Sequence, residues 1–169
     1  ASRAKLDPGV SQFPVDWYFD EKLFELEKKL IFDAGPGYVG HELMVPELYN
    51  YRSTEWTDHA HILVRQPDGV YQMSNVCRHR QAIMLQGSGT AQNVVCPIHR
   101  WTYDTEGQLI GAPHFPANPC LNLNKRKLES WNGLLFKGPR SANADLAGMK
   151  VAGDFDFSGY KLDHVELHQ

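Results

Sequence analysis

Cys77-Arg78-His79 and Cys96-Pro97-Ile98-His99 are the two segments that decide how this chain folds, and sixteen residues separate them. Each offers one thiolate and one imidazole, and each is followed by a basic residue, Arg80 and Arg100. Two cysteines and two histidines in the order C-x-H…C-x-x-H can hold a [2Fe–2S] cluster with unequal irons. Both thiolates then bind one iron and both imidazoles the other, which lifts the reduction potential above that of an all-cysteine cluster. Zinc is the rival, because it also accepts a tetrahedral Cys₂His₂ set. Donor chemistry alone leaves both metals open.

The rest of the composition narrows the class. A chain of 169 residues is long enough for one domain with its own core plus an appendage. Hydrophobic residues make up 42% and charged residues 22%, ordinary for a globular protein. A formal net charge of -3 argues against general binding to nucleic acid. No run of 18 apolar residues exists, so no membrane span is expected. The first residues lack the basic, apolar, small-residue pattern of a secretory signal. Three cysteines cannot build a disulfide framework when two belong to the boxes. These features point to a reducing, cytoplasmic compartment.

Along the chain, residues 1–19 read as irregular, with Pro8-Gly9 and Pro14 as breakers and Phe13, Trp17, Tyr18 and Phe19 left to dock elsewhere. Asp20 is an N-cap, and Leu23, Phe24, Leu26, Leu30 and Ile31 give helical spacing up to Gly35-Pro36-Gly37. The spacing predicts an amphipathic helix packed on the domain that follows. From Tyr38 to Phe136 the signals are strands and turns. Tyr38–Val45 reads as a strand closed by Pro46, and His59–Arg65 and Val70–Asn75 flank the turn Gln66-Pro67-Asp68-Gly69. Gln108–Ile110 follows the turn Thr105-Glu106-Gly107, and Lys127–Trp131 and Leu134–Lys137 flank Asn132-Gly133, the strongest hairpin signal in the chain. The expected fold class is all-β (β-rich): small stacked antiparallel sheets with the two boxes on loops of a cluster-binding subdomain, preceded by one N-terminal helix.

The second box continues as Arg100-Trp101-Thr102-Tyr103-Asp104, then Glu106-Gly107-Gln108-Leu109 and Gly111-Ala112-Pro113. With Cys77-Arg78-His79-Arg80, this stretch resembles the Rieske domain of aromatic-ring-hydroxylating oxygenases. Asp20-Glu21…Phe24-Glu25, with Tyr38-Val39-Gly40-His41-Glu42, is similar to the lead-in of their α subunits, which free-standing Rieske ferredoxins lack. The resemblance implies a [2Fe–2S] cluster on Cys77, His79, Cys96 and His99, with Arg80, Trp101 and Tyr103 around it. It implies electron relay from a ferredoxin or flavin reductase to a mononuclear Fe(II), within a trimeric oxygenase that hydroxylates an aromatic compound. That iron belongs to a catalytic domain whose 2-His-1-carboxylate motif is missing here. The division expected is 1–37 as lead-in, 38–140 as the Rieske domain and 141–169 as the start of a connection. A stand-alone Rieske ferredoxin and a zinc-stabilised interaction module are the alternatives.

Individual residues carry further expectations. Arg78, Arg80 and Arg100 can brace the loops through carboxylates or be solvated. Trp101 can shield a cluster, and Tyr103 can donate its hydroxyl near a cluster sulfur. Trp101 stands where high-potential family members place a serine, which implies a potential at the low end of the roughly -150 to +300 mV Rieske range. The family has glycine where Gln81 and Arg100 stand, so these side chains are expected to put bulk at a close backbone approach. Cys120 reads as a core thiol, and the pair His164 and His168 as residues of a strand. Cys77→Ser or Cys96→Ser should abolish the visible absorption of purified protein, and Cys120→Ser should retain it.

Overall fold

The computed structural model of the chain describes residues 14–139 and 141–142. The expectations on Phe13, on His164 and His168 and on the linker beyond Ala142 lie outside the described residues. Residues 15–19 are not irregular, because Val15–Phe19 forms a 3₁₀ turn. Its first bond runs from the Trp17 amide to the Pro14 carbonyl. Asp20 caps the next helix as expected, its carboxylate accepting from the Lys22 and Leu23 amides at 2.9 and 3.2 Å. This helix, α1 (Glu21–Glu27), widens into a π-helical turn over Lys28–Phe32.

Among the described residues eleven short strands follow: β1 (Gly37–His41), β2 (Asn50–Ser53), β3 (His61–Gln66), β4 (Gly69–Ser74), β5 (Ser88–Thr90), β6 (Asn93–Val95), β7 (Thr102–Asp104), β8 (Leu109–Gly111), β9 (Lys125–Lys127), β10 (Glu129–Trp131) and β11 (Leu134–Lys137). They form three antiparallel sheets, ordered β1-β11-β10, β5-β2-β3-β4-β9 and β6-β7-β8. The stretch read as one strand from Tyr38 to Val45 stops at His41, and Glu42–Met44 turns as a 3₁₀ helix. The stretch read as Lys127–Trp131 is two strands. Leu128 is the switch: its amide donates to Val70, after which the chain leaves the five-stranded sheet for the three-stranded one.

The middle strand explains the layering. Along β3, Ile62 and Val64 enter one core and Leu63 enters the other. A strand buried on both faces reads as a continuous apolar run, because alternate side chains both need cover. One core joins the central sheet to Cys77, Cys96, Trp101, Tyr103 and Leu109 of the cluster-side loops and strands. The second joins it to Val39, Val45 and Leu135 around β1 and β11. Fully burying each such aliphatic side chain contributes about 2 kcal/mol. Both faces of the central sheet are therefore occupied. That corrects the expected packing of α1, which has no buried residue and leaves Phe24 and Leu26 at least half exposed.

The hairpin at Asn132-Gly133 forms as read. Both residues have positive φ, 49° and 82°, which gives the twist a two-residue loop needs between β10 and β11. Gly133 is also required sterically, because a Cβ there would lie 2.7 Å from His41 Nε2. Burial lowers the His41 pKa, and its Nδ1 accepts from the Leu43 amide at 3.1 Å. In β1 the register shifts between Tyr38 and Gly40, and the carbonyl of the intervening Val39 is taken by the Trp56 indole at 3.1 Å.

Asn75, fully buried, ties the central sheet to the first box. Its amide nitrogen donates to the His59 and Leu85 carbonyls at 3.1 and 2.7 Å, and its side-chain oxygen accepts from the Leu85 amide at 2.9 Å. Asn75→Ala should destabilise the domain by about 3 kcal/mol, one for each bond lost. Denaturant titration with an unchanged m-value checks it.

Candidate metal centre

The two boxes share one backbone frame despite their different spacing. The Cys77 amide donates to the Ala82 carbonyl at 2.9 Å, and the Cys77 carbonyl accepts from the Gln81 amide at 2.9 Å. The Cys96 amide donates to the Trp101 carbonyl at 2.8 Å, and its carbonyl accepts from the Arg100 amide at 3.1 Å. Each cysteine thus opens a loop closed four and five residues later. The histidine sits two residues along one loop and three along the other.

Closing such a loop needs a left-handed residue at its fifth position, and Gln81 and Arg100 take it with φ of 57° and 62°. Both side chains are exposed. The expectation of bulk at a close approach is therefore corrected. Glycine suits these positions for its torsional freedom, and a non-glycine residue costs about 1 kcal/mol there.

The loops place the two predicted cysteine donors in one buried core and the two predicted histidine rings side by side. Cys77 and Cys96 are free thiols, each 1% exposed. The His79 and His99 rings, less buried than the thiols, lie 4.6 Å apart at 73°. His79 Nδ1 is buried with no hydrogen-bond partner, so it is a lone pair aimed inward with nothing from the protein to satisfy it. Burial, then the nearby His99 and Arg80, lowers the His79 pKa. The ring is therefore neutral near pH 7, the form that binds metal. Among the described residues no three His, Cys, Asp or Glu side chains converge to hold one metal ion. A pair of thiols and a pair of imidazoles suit a unit that divides its ligands between two irons.

The surroundings are aromatic. Trp101, 1% exposed, stacks on His79 at 4.8 Å and 10°, so it both fills the core and seals the imidazole from water. The Tyr103 hydroxyl accepts from the Arg78 amide at 3.1 Å, which leaves its proton for Cys77 Sγ at 3.6 Å. Burial and the contact with Cys77 push its pKa well above the ordinary phenol value, so that proton stays in place. Phe115 was not singled out from the sequence. Its ring stands edge-on to both His79 and Trp101, at 5.7 and 5.1 Å. The signal for it was an aromatic between Pro113 and Pro116, in a segment stiff enough to be held over the second box.

Arg78, Arg80 and Arg100 are exposed and brace nothing: among the described residues none forms an ion pair. Asp104 serves the turn, accepting from the Gln108 amide at 2.8 Å, while Glu106 pairs with Lys125. Cys120 is exposed and not a core thiol. Its φ of 56° places it in a turn whose Asn118 side chain accepts from the Cys120 amide, which turns the sulfur outward.

Residues 38–130 match the family model described as the Rieske [2Fe-2S] domain. The chain belongs to the Rieske family. Domains of this family bind a [2Fe–2S] cluster. The chain is 57% identical over 163 residues to the putrescine 2-hydroxylase of Ralstonia nicotianae, covering 96% of this chain and 45% of that one. It is 32% identical over 169 residues to the benzene 1,2-dioxygenase subunit alpha of Pseudomonas putida, covering 95% of this chain and 35% of the relative. Among solved structures it is similar to a quaternary ammonium Rieske monooxygenase in complex with L-carnitine. That likeness has a TM-score of 0.65 at 26% identity, over 81% of this chain and 42% of the other. The chain thus spans less than half the length of these relatives.

Tyr103→Phe should lower the midpoint potential of this Rieske centre. A hydroxyl donated to a ligand sulfur favours the more negative, reduced state, and losing it removes about 1 kcal/mol, or roughly 40 mV for one electron. Protein-film voltammetry at pH 7 measures it.

Proposed function

We propose that this chain is the electron-transfer domain of a Rieske-type oxygenase, with a [2Fe–2S] cluster held by Cys77, His79, Cys96 and His99. The observation that carries this reading is the frame shared by the two boxes, which holds both cysteines buried in one core and sets the His79 and His99 rings side by side. In it Cys77 and Cys96 would bind one iron and His79 and His99 the other. The cluster supplies one-electron carriage at a Rieske potential. The chain's own residues set the conditions. Trp101 and Phe115 exclude water from the His79 side, Tyr103 holds its proton at Cys77 Sγ, and Arg80 keeps positive charge beside His79.

The division 1–37, 38–140 and 141–169 is retained as lead-in, Rieske domain and connection. Among the described residues no helix is long and apolar enough to cross a membrane, and the proposed setting is cytoplasmic. A ferredoxin or flavin reductase supplies electrons, and the accepting mononuclear Fe(II) lies in a part of the parent protein not in this sequence. A trimer would bring that iron to the cluster. For the substrate, the 57% identical relative favours an aliphatic amine such as putrescine. Aromatic hydroxylation is the second reading, favoured by the 32% identical dioxygenase subunit.

Purified holoprotein should be red-brown, with two irons and two acid-labile sulfides per chain. Residues 1–169 with reductant, O₂ and added ferrous iron should form no hydroxylated putrescine or benzene. One zinc per colourless chain, or hydroxylated product from these residues alone, would refute the reading.

A further inference from the structure

A cavity of about 520 Å³ opens on the face of the central sheet that turns away from the cysteines, and His61, Gln72, Asn124, Lys125, Arg126 and Lys137 line it. Register identifies that face. Leu63, Gln72 and Arg126 stand opposite one another across β3, β4 and β9. Leu63 belongs to the second core, while Met73, the next residue of β4, enters the core shared with Cys77 and Cys96. None of the described lining residues belongs to the metal centre.

Strand β9 is an edge of its sheet, where lysines guard against pairing with another chain. Lys125 and Lys127 fit that account. Both lie over the Tyr71 ring, and they pair with Glu106 and Asp68. Arg126, between them, belongs to the opposite face, and neither it nor Lys137 forms an ion pair among the described residues. No carboxylate among the described residues lines the cavity. Two that lie nearby are already engaged. Asp58, within electrostatic reach of Lys137, is held by His61 Nδ1 and the Ala60 amide, each at 3.0 Å. Glu129, which lines an adjoining hollow with Arg126 and Lys137, accepts from Ser141 Oγ and the Ala142 amide at 2.6 and 2.7 Å.

Gln72 adds an independent observation. It is only 8% exposed, it lines the cavity, and its side-chain amide forms no hydrogen bond among the described residues. Leaving a buried amide unpartnered is costly, so this one calls for a partner from outside the chain.

We propose that this cavity binds a small organic anion through its carboxylate or phosphate oxygens. The Arg126 guanidinium offers paired N–H donors that match two oxygens of such a group. Lys137 adds a second positive charge, and the Gln72 amide supplies a neutral donor. The volume lies in the range of small-molecule sites and leaves room for an organic body behind the charged group.

The test is isothermal titration calorimetry on the holoprotein at constant ionic strength in chloride, with succinate and inorganic phosphate as separate probes. At least one should bind at one site per chain with a dissociation constant of about 1 mM or below. Binding of succinate alone assigns the site to carboxylates, and binding of phosphate alone to phosphate esters. Arg126→Ala should weaken binding roughly tenfold. Gln72→Glu should abolish it by placing a like charge in the cavity. Lys127→Ala removes a cation from the other face of the same strand and should leave affinity unchanged. Arg126 is exposed, so its truncation should keep the melting temperature and with it a readable result. The proposal is overturned if neither probe binds in competition with chloride. It is equally overturned if Lys127→Ala weakens binding as much as Arg126→Ala, the result expected of diffuse charge along an edge strand.

Discussion

The peptide groups of Cys77 and Cys96 are each used twice, once as donor and once as acceptor, by residues four and five positions further on. Everything at the metal centre depends on that repeated closure. It fixes the two sulfurs below the surface, and it sends one loop's third residue and the other loop's fourth to a common place. It also demands a left-handed corner in each loop, which Gln81 and Arg100 fill. A loop held this way resists rearrangement of its donors, so the site is organised by backbone bonds before any metal contributes.

The loops in turn depend on the sheet beneath them. Box one leaves the end of β4 through Asn75, whose buried side chain spends every polar atom on neighbouring backbone. Box two is the connection between β6 and β7, which pair from Val95 and Thr102 back to Asn93 and Asp104. Cys77, Cys96, Trp101 and Tyr103 belong to the same core as Ile62, Val64 and Met73 of the central sheet. The redox site is therefore an outgrowth of the hydrophobic core, and its polar atoms sit in a low-dielectric setting where a single hydrogen bond has leverage.

Much of this was legible from sequence, for identifiable reasons. The donor set was visible because two Cys/His pairs at short spacing are rare without a metal. The Asn132-Gly133 hairpin was visible because those residues tolerate positive φ. Strands β2 and β5 were missed because Asn50–Ser53 and Ser88–Thr90 are short and lack an alternating pattern. The pairing of β5 with β2 joins distant parts of the chain, so nothing local announces it. The placement of α1 was misjudged because periodicity shows that a helix has an apolar face, never what covers it. Cys120 was misjudged because a cysteine's usual burial is a tendency, and the Asn118 turn overrides it. The glycine positions at 81 and 100 were noticed, but torsion and crowding leave the same mark in a sequence.

The second core, built from Val39, Val45, Leu63, Val70, Leu128 and Leu135, contains no donor of the metal centre. A core of six buried residues can therefore pack without any contribution from the metal donors. A metal-free chain would then keep the core around β3 by burial alone, where a metal-nucleated domain would unfold.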